Sequence, residues 1–203
     1  MAARPARPVL GARYDRRRAE VVDGAAKTFA RSGYDQTSVP ELAESLGLAT
    51  GSLYHYFGSK EQLLIAICDE LMDPLLAETE QLVERDMAPD EQLRELVRLW
   101  VAHVIGHRDH MLAFQQERHV IDHGDRWRHV RESRKRFERI VERVLERACD
   151  AGLTIELDRR LLLSALLGMV NHTAQWHRPS GRLGAVDIAD GYVDLLLHTR
   201  RRA

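Results

Sequence analysis

The chain has 203 residues, with 30 basic against 31 acidic side chains and a formal net charge of −1. That length allows a sizeable core in one or two domains, and the near-neutral balance excludes a protein that coats nucleic acid wholesale. The only cysteines, Cys68 and Cys149, are far apart in apolar helical patterns, which excludes a disulfide-built scaffold. With no signal peptide and no apolar run long enough for a bilayer, the expectation is a reduced cytoplasmic protein, both thiols buried and no membrane partner.

Charge is uneven along the chain. Residues 1–18 hold Arg4, Arg7, Arg13, Arg16, Arg17 and Arg18 against Asp15 alone. Residues 1–12 are expected to form a flexible basic arm able to follow DNA phosphates. A first helix is predicted over Tyr14–Ser32, with Val21, Val22, Ala25, Ala26 and Phe29 inward.

The segment Thr37–Leu64 predicts two short helices, a tight turn between them and the capped start of a third. Ser38 with Glu41 forms a capping box, and Pro40 sits in the first turn, where its missing N–H is harmless. Gly47 suits the left-handed residue that ends a helix. The second helix starts near Thr50 with Leu53 and Phe57 inward, leaving Thr50, Gly51, Ser52, Tyr54, His55 and Tyr56 outward. A helix-turn-helix has this form, and its second helix enters the major groove of double-stranded DNA with its N-terminal residues at base edges. Thr50 and Ser52 offer hydrogen bonds, Gly51 permits close approach, Tyr54 and Tyr56 reach phosphates, and Lys60 is expected to contact a phosphate by its charge. Ser59 caps the next helix with Gln62 as partner.

From Ser59 a long helix runs to about Val83, with Leu63, Ile67, Leu71, Leu75 and Leu82 inward. A helix capped by Asp90 follows to about Gly106, then one over Asp109–Ile121, then a charged helix over Trp127–Ala151. The last two span Leu157–Trp176 and Val186 to about His198. Both are apolar around much of their circumference, so a second buried side is expected, a homodimer interface through Leu162, Leu166, Met169, Tyr192 and Leu196. The fold class predicted is all-α. It comprises a three-helix DNA-binding domain (13–58) and a helical ligand-binding and dimerisation domain (59–203).

No catalytic set stands out: there is no Gly-rich phosphate loop, GxSxG or HExxH. His103 with His107, and His119 with His123, have the spacing of metal ligands on a helix, but nearby glycines and the lack of Cys-x-x-Cys favour surface or pocket histidines, with no metal or cofactor. Two polar stretches in otherwise apolar helices would be accounted for by a ligand cavity, or equally, residue by residue, by hydrogen bonds between helices with no ligand. They supply Phe114, Gln115, Arg118 and His119, and Asn171, Gln175, Trp176 and Arg178. A metal-using helical enzyme would need three ligands meeting in space. A purely structural dimer would leave the polar residues from Thr50 to Tyr56 without a role.

At about residues 13–68 the sequence resembles the TetR family of transcriptional regulators. The likeness lies in Ala26-Lys27-Thr28-Phe29-Ala30-x-x-Gly33-Tyr34, Thr37-Ser38-Val39-x-Glu41-Leu42-Ala43 and Gly51-Ser52-Leu53-Tyr54-x-Tyr56-Phe57-x-Ser59-Lys60-Glu61. The resemblance implies an all-helical homodimer that represses from a palindromic operator and is released by a small-molecule effector. The DNA contacts it implies are Thr37 or Ser38, Thr50 to Ser52, Tyr54, Tyr56 and Lys60; Tyr56 stands where the family commonly has His. Phe114-Gln115-x-Glu117 and Gln175-Trp176-x-Arg178-Pro179 also look like the branch sensing acyl-coenzyme A thioesters of fatty-acid and steroid catabolism, with His177 departing from its usual ending. An efflux-type regulator sensing drug-like hydrophobic compounds is the alternative.

Overall fold

Helix ends fall where caps and glycines place them, in a computed structural model that describes residues 8–197, with side chains from Ala12 onward. The elements are α1 (Pro8–Ser32), α2 (Val39–Ser45), α3 (Thr50–Phe57), α4 (Lys60–Val83), α5 (Pro89–Gly106), α6 (Arg108–Gln116), α7 (Arg118–Ile121), α8 (Arg128–Asp150), α9 (Arg159–Trp176) and α10 (Ala185–Leu196). A 3-10 turn at Asp125–Trp127 leads into α8, and a lone antiparallel bridge joins Thr154 to Leu197. The protein is all-α, as predicted.

The Ser38–Glu41 box closes from both sides: Ser38 N–H donates to Glu41 Oε2 (2.9 Å) and Glu41 N–H to Ser38 Oγ (3.3 Å). Gly47 takes φ 62° and lets Leu48 N–H return to the Ala43 carbonyl (2.9 Å), which sets the corner between α2 and α3. Ser59 caps α4 by accepting from Gln62 N–H (3.0 Å).

α4 runs from the reading head into the second domain, with Leu63, Ile67, Leu71, Leu75 and Leu82 all buried as expected. Pro74 lies on its exposed side, where it withholds one N–H from the ladder without ending the helix. Trp100 on α5 and Phe137 on α8 meet edge to face at 4.8 Å in the second domain's core. α10 is tied to α5 by a forked pair, Arg98 Nε and Nη2 each donating to Asp190 at 2.7 Å. Those bonds hold the Asp190 carboxyl below its usual range. No helix among the described residues is long and apolar enough to cross a membrane.

Several sequence expectations need correction. Residues 8–12 belong to α1 rather than to a flexible arm, Pro8 suiting the first turn of a helix; Arg4 and Arg7 lie outside the described residues, as does His198. Ala88, not Asp90, is the N-cap of α5, because Pro89 forces the preceding residue into extended backbone. The helix predicted over 109–121 is split at Glu117, whose side chain is drawn across to Tyr34 in the loop between α1 and α2. Cys68 is buried, but Cys149 is half-buried and accepts a bond from Thr154 Oγ1 (3.4 Å).

The largest correction concerns the last two helices. Leu162, Leu166 and Leu196 are in the protomer's own core, at 1%, 0% and 4% exposure. Met169 and Tyr192 are half-buried, and Tyr192 Oη bonds Thr173 Oγ1 (3.0 Å). The exposed apolar residues are instead Leu161 (53%) and Trp176 (42%) on α9 and Val186 (55%) and Leu195 (64%) on α10.

Candidate DNA-reading surface and effector cavity

α3 presents a polar surface built by its neighbours. Leu53 and Phe57 anchor it in the core, leaving Gly51, Tyr54 and His55 exposed and Thr50, Ser52 and Tyr56 partly so. A Cβ added at Gly51 would meet nothing within 4 Å. Glycine costs a helix about 1 kcal/mol relative to alanine, and nothing within the chain crowds this position. Thr37 and Ser38 differ from expectation. Thr37 is buried, its hydroxyl donating to the Gly33 carbonyl (2.7 Å), and the Ser38 hydroxyl donates to Glu41 Oε2 (2.7 Å) as part of the cap.

Lys60 is engaged within its own chain. Its ammonium donates to the carbonyls of Tyr34 (2.6 Å) and Thr37 (2.8 Å) and lies 4.1 Å from the centre of the Tyr34 ring. Burial lowers its pKa. Further cations beside α3 come from α1, where Arg17 pairs with Glu20 (2.8 Å). Tyr14 packs on Tyr56 (5.1 Å between ring centres) and edge-on to His55 (6.4 Å), which brings Arg13, Arg16 and Arg17 to the border of the recognition helix. Arg18 is occupied over the Phe57 ring at 4.9 Å. The basic segment was legible in the sequence; its continuity with the helix surface was not.

Between α4, α5, α6, α8 and α9 lies a cavity of about 480 Å3. Met72, Leu75, Trp100, Met111, Phe114, Phe137 and Leu167 make its apolar wall; Gln115, Arg118, Arg134, Glu138, Ser164, Asn171, His172 and Gln175 supply polar groups. Of the eight residues expected to bind ligand, Phe114, Gln115, Arg118, Asn171 and Gln175 line it. His119, Trp176 and Arg178 do not; His119 faces Asp35 at 3.9 Å. Gln115 Nε2 donates to the Asn171 carbonyl (2.8 Å) and Gln175 Nε2 to Gln115 Oε1 (3.1 Å), so the two polar stretches brace each other across α6 and α9. Arg134 Nη1 donates to Asp122 Oδ1 (2.9 Å), while its Nε is buried without a hydrogen-bond partner. A larger groove of about 880 Å3 between α4 and α8 is open and rimmed by Glu80, Glu84, Arg136, Arg139, Glu142 and Arg143, with Arg136 paired to Glu80, which suits solvent better than an effector.

The histidine pairs are held by backbone. His103 Nε2 donates to the Leu71 carbonyl (2.7 Å), and burial lowers its pKa to about 4, leaving it neutral. His107 Nδ1 bonds the His103 carbonyl (3.1 Å), and His123 Nδ1 the His119 carbonyl (2.8 Å).

A capped helix-turn-helix with a polar second helix, joined by one long helix to a hollow bundle, defines a ligand-linked DNA-binding regulator. Residues 21–67 match the bacterial regulatory proteins of the tetR family, and residues 86–199 match the tetracyclin repressor-like C-terminal domain. The chain belongs to the TetR family of DNA-binding bacterial regulatory proteins. It is similar to the transcriptional repressor KstR2 of Mycobacterium tuberculosis (strain ATCC 25618 / H37Rv), with 26% identity over 89% of this chain and 91% of the relative. The fatty acid metabolism regulator protein of Bacillus subtilis (strain 168) is 25% identical over 88% of this chain and 92% of its own. Among solved structures, AibR in complex with isovaleryl coenzyme A and operator DNA superposes with a TM-score of 0.76 at 28% identity, covering 89% of this chain and 97% of AibR.

The geometry separates two kinds of cation. Arg16→Ala should flatten the slope of log affinity against log salt by about 0.9, the loss of one phosphate contact. Lys60→Ala should leave that slope unchanged and lower the thermal midpoint, because it unties the loop before α2. Fluorescence anisotropy on a labelled operator duplex across salt concentrations reads both, and a full-contact loss of slope in Lys60→Ala would contradict the assignment.

Proposed function

We propose that the protein represses from a palindromic operator as a homodimer and is released when an acyl-coenzyme A thioester of lipid or steroid catabolism occupies the α4–α9 cavity. The observation that carries this reading is the cavity's composition. Its apolar wall suits an acyl chain, and its volume lies within the roughly 300–1,000 Å3 usual for small-molecule sites. Arg118 is exposed at the edge, 3.6 Å from Asp122, and Arg134 pairs with Asp122 and has its Nε 3.7 Å from Glu138, so a coenzyme's phosphates would take these guanidinium groups over from carboxylates of the chain itself. The names of KstR2 and the Bacillus fatty acid regulator, and the isovaleryl coenzyme A bound by AibR, support the same class.

The route from cavity to DNA runs through α6. Phe114, Gln115 and Arg118 face the cavity, whereas Gln116 Nε2 donates to the Ala30 carbonyl (3.1 Å) and Glu117 Oε1 accepts from Tyr34 N–H (3.1 Å). One short segment therefore touches the effector on one side and the reading head on the other. A palindrome accepts recognition helices separated by about 34–36 Å or a multiple of it, so a ligand that shifts α6 and with it α1 disrupts the fit. It does so only to the extent that it binds the shifted arrangement more tightly.

An operator duplex selected from random sequence and labelled for anisotropy provides the test. Long-chain or steroid-derived thioesters should release it at concentrations at least tenfold below the matching free acids, and Arg134→Ala should abolish that advantage. Equal potency of acid and thioester, or no release by any thioester, would reject the effector class.

The homodimer is proposed to close through the outward residues Leu161 on α9 and Leu195 on α10. In sedimentation velocity Leu195→Asp should give a folded monomer. Leu166→Asp, which places a charge in the protomer core, should fail to fold. A folded wild-type monomer at micromolar concentration would overturn the dimer.

A further inference from the structure

We propose that Asp23 on α1, Glu70 on α4 and His110 on α6 bind a divalent transition-metal ion of the Zn2+ class, a site independent of the effector reading. His110 is 5% exposed, and its Nε2 is buried with no hydrogen-bond partner. That nitrogen stands 3.5 Å from Asp23 Oδ1 and 3.8 Å from Glu70 Oε2, and all three ligand atoms lie within 4.8 Å of one another. Such separations exceed the 2.7–3.2 Å of an N–H···O bond. They approach the edge of a ligand tetrahedron, about 3.4 Å for atoms held near 2.1 Å from a central Zn2+.

The charges agree with the spacing. Among the described residues neither Asp23 nor Glu70 pairs with a lysine or arginine, so two carboxylates face one imidazole with no fixed cation between them. One nitrogen and two oxygens without a thiol favour a borderline ion over copper(I), and the imidazole disfavours Mg2+ or Ca2+. The Asp23 side chain is 61% exposed, which leaves an entry path and room for water to complete the coordination. A similar trio, Asp35, Glu117 and His119, differs in one respect: the Lys60 ammonium already supplies positive charge to Asp35 and Glu117.

The three ligands come from three helices that meet where the reading head joins the effector domain. An ion held there ties α1 to α4 and α6, and stabilises this arrangement in proportion to its occupancy. The untagged full-length protein, stripped with chelator and dialysed, is titrated with Zn2+ by calorimetry and melted with and without it. One ion per chain is expected, with a thermal midpoint that rises with Zn2+. Asp23→Asn and Glu70→Gln, whose side chains are partly exposed and should fold, each weaken binding at least tenfold and abolish the rise, whereas Glu91→Gln does neither. No binding at 100-fold molar excess of Zn2+, or binding unchanged in Asp23→Asn and Glu70→Gln, would overturn the site.

Discussion

The loop from Tyr34 to Thr37 is held from two directions, and the orientation of the reading helix depends on that grip. From below, Lys60 at the start of α4 donates to the Tyr34 and Thr37 carbonyls. From the side, Glu117 at the break after α6 accepts the Tyr34 N–H. Hydrogen bonds to charged groups are worth about 1.5–3 kcal/mol each, more than neutral ones, and these join segments far apart in sequence. α2 begins immediately beyond the loop, and the Gly47 corner then sets α3 against it. The position of the DNA-reading residues is thus referred to α4 and α6, both of which also line the cavity.

Local chemistry explains why the reading head was legible in the sequence. The Ser38–Glu41 box, Gly47 and Ser59 act over three or four residues, and the structure places their effects at the helix ends expected. The bonds of Lys60 to its own chain could not be foreseen, because a cation in the first turn after a recognition helix offers the same sequence signal whether it points to a phosphate or to a carbonyl of its own chain. Only the return of the Tyr34–Thr37 loop decides between them. The arginines of α1 were visible as a charge run, but the Tyr14–Tyr56 stacking that carries them to α3 is a contact between distant segments.

The second domain was harder to read. In Leu161-Leu162-Leu163 three consecutive apolar residues leave the inward direction undetermined, and the packing of α9 on α5 selects Leu162. The split at Glu117 follows from its bond to Tyr34, a partner 83 residues away. Phe114, Gln115, Asn171 and Gln175 were found because polar groups in apolar helices need partners. Met72, Trp100 and Phe137 were missed because ordinary core residues become cavity walls only when the helices are assembled. Trp176 and Arg178 followed the likeness to a helix ending, and here that ending lies beyond the cavity.

The central claim is that residues 114–118 carry effector occupancy to the DNA-reading head. Its most direct measurement is the coupling factor, the ratio of operator affinities without and with a saturating thioester, in the wild type and in Gln116→Ala/Glu117→Ala. Removing these two side chains cuts the bonds to Ala30 and Tyr34 while leaving the cavity-lining residues in place. The account predicts that the double variant binds thioester about as tightly as the wild type, yet loses most of the coupling, at least fivefold in the ratio. An unchanged coupling factor in a folded double variant would contradict it.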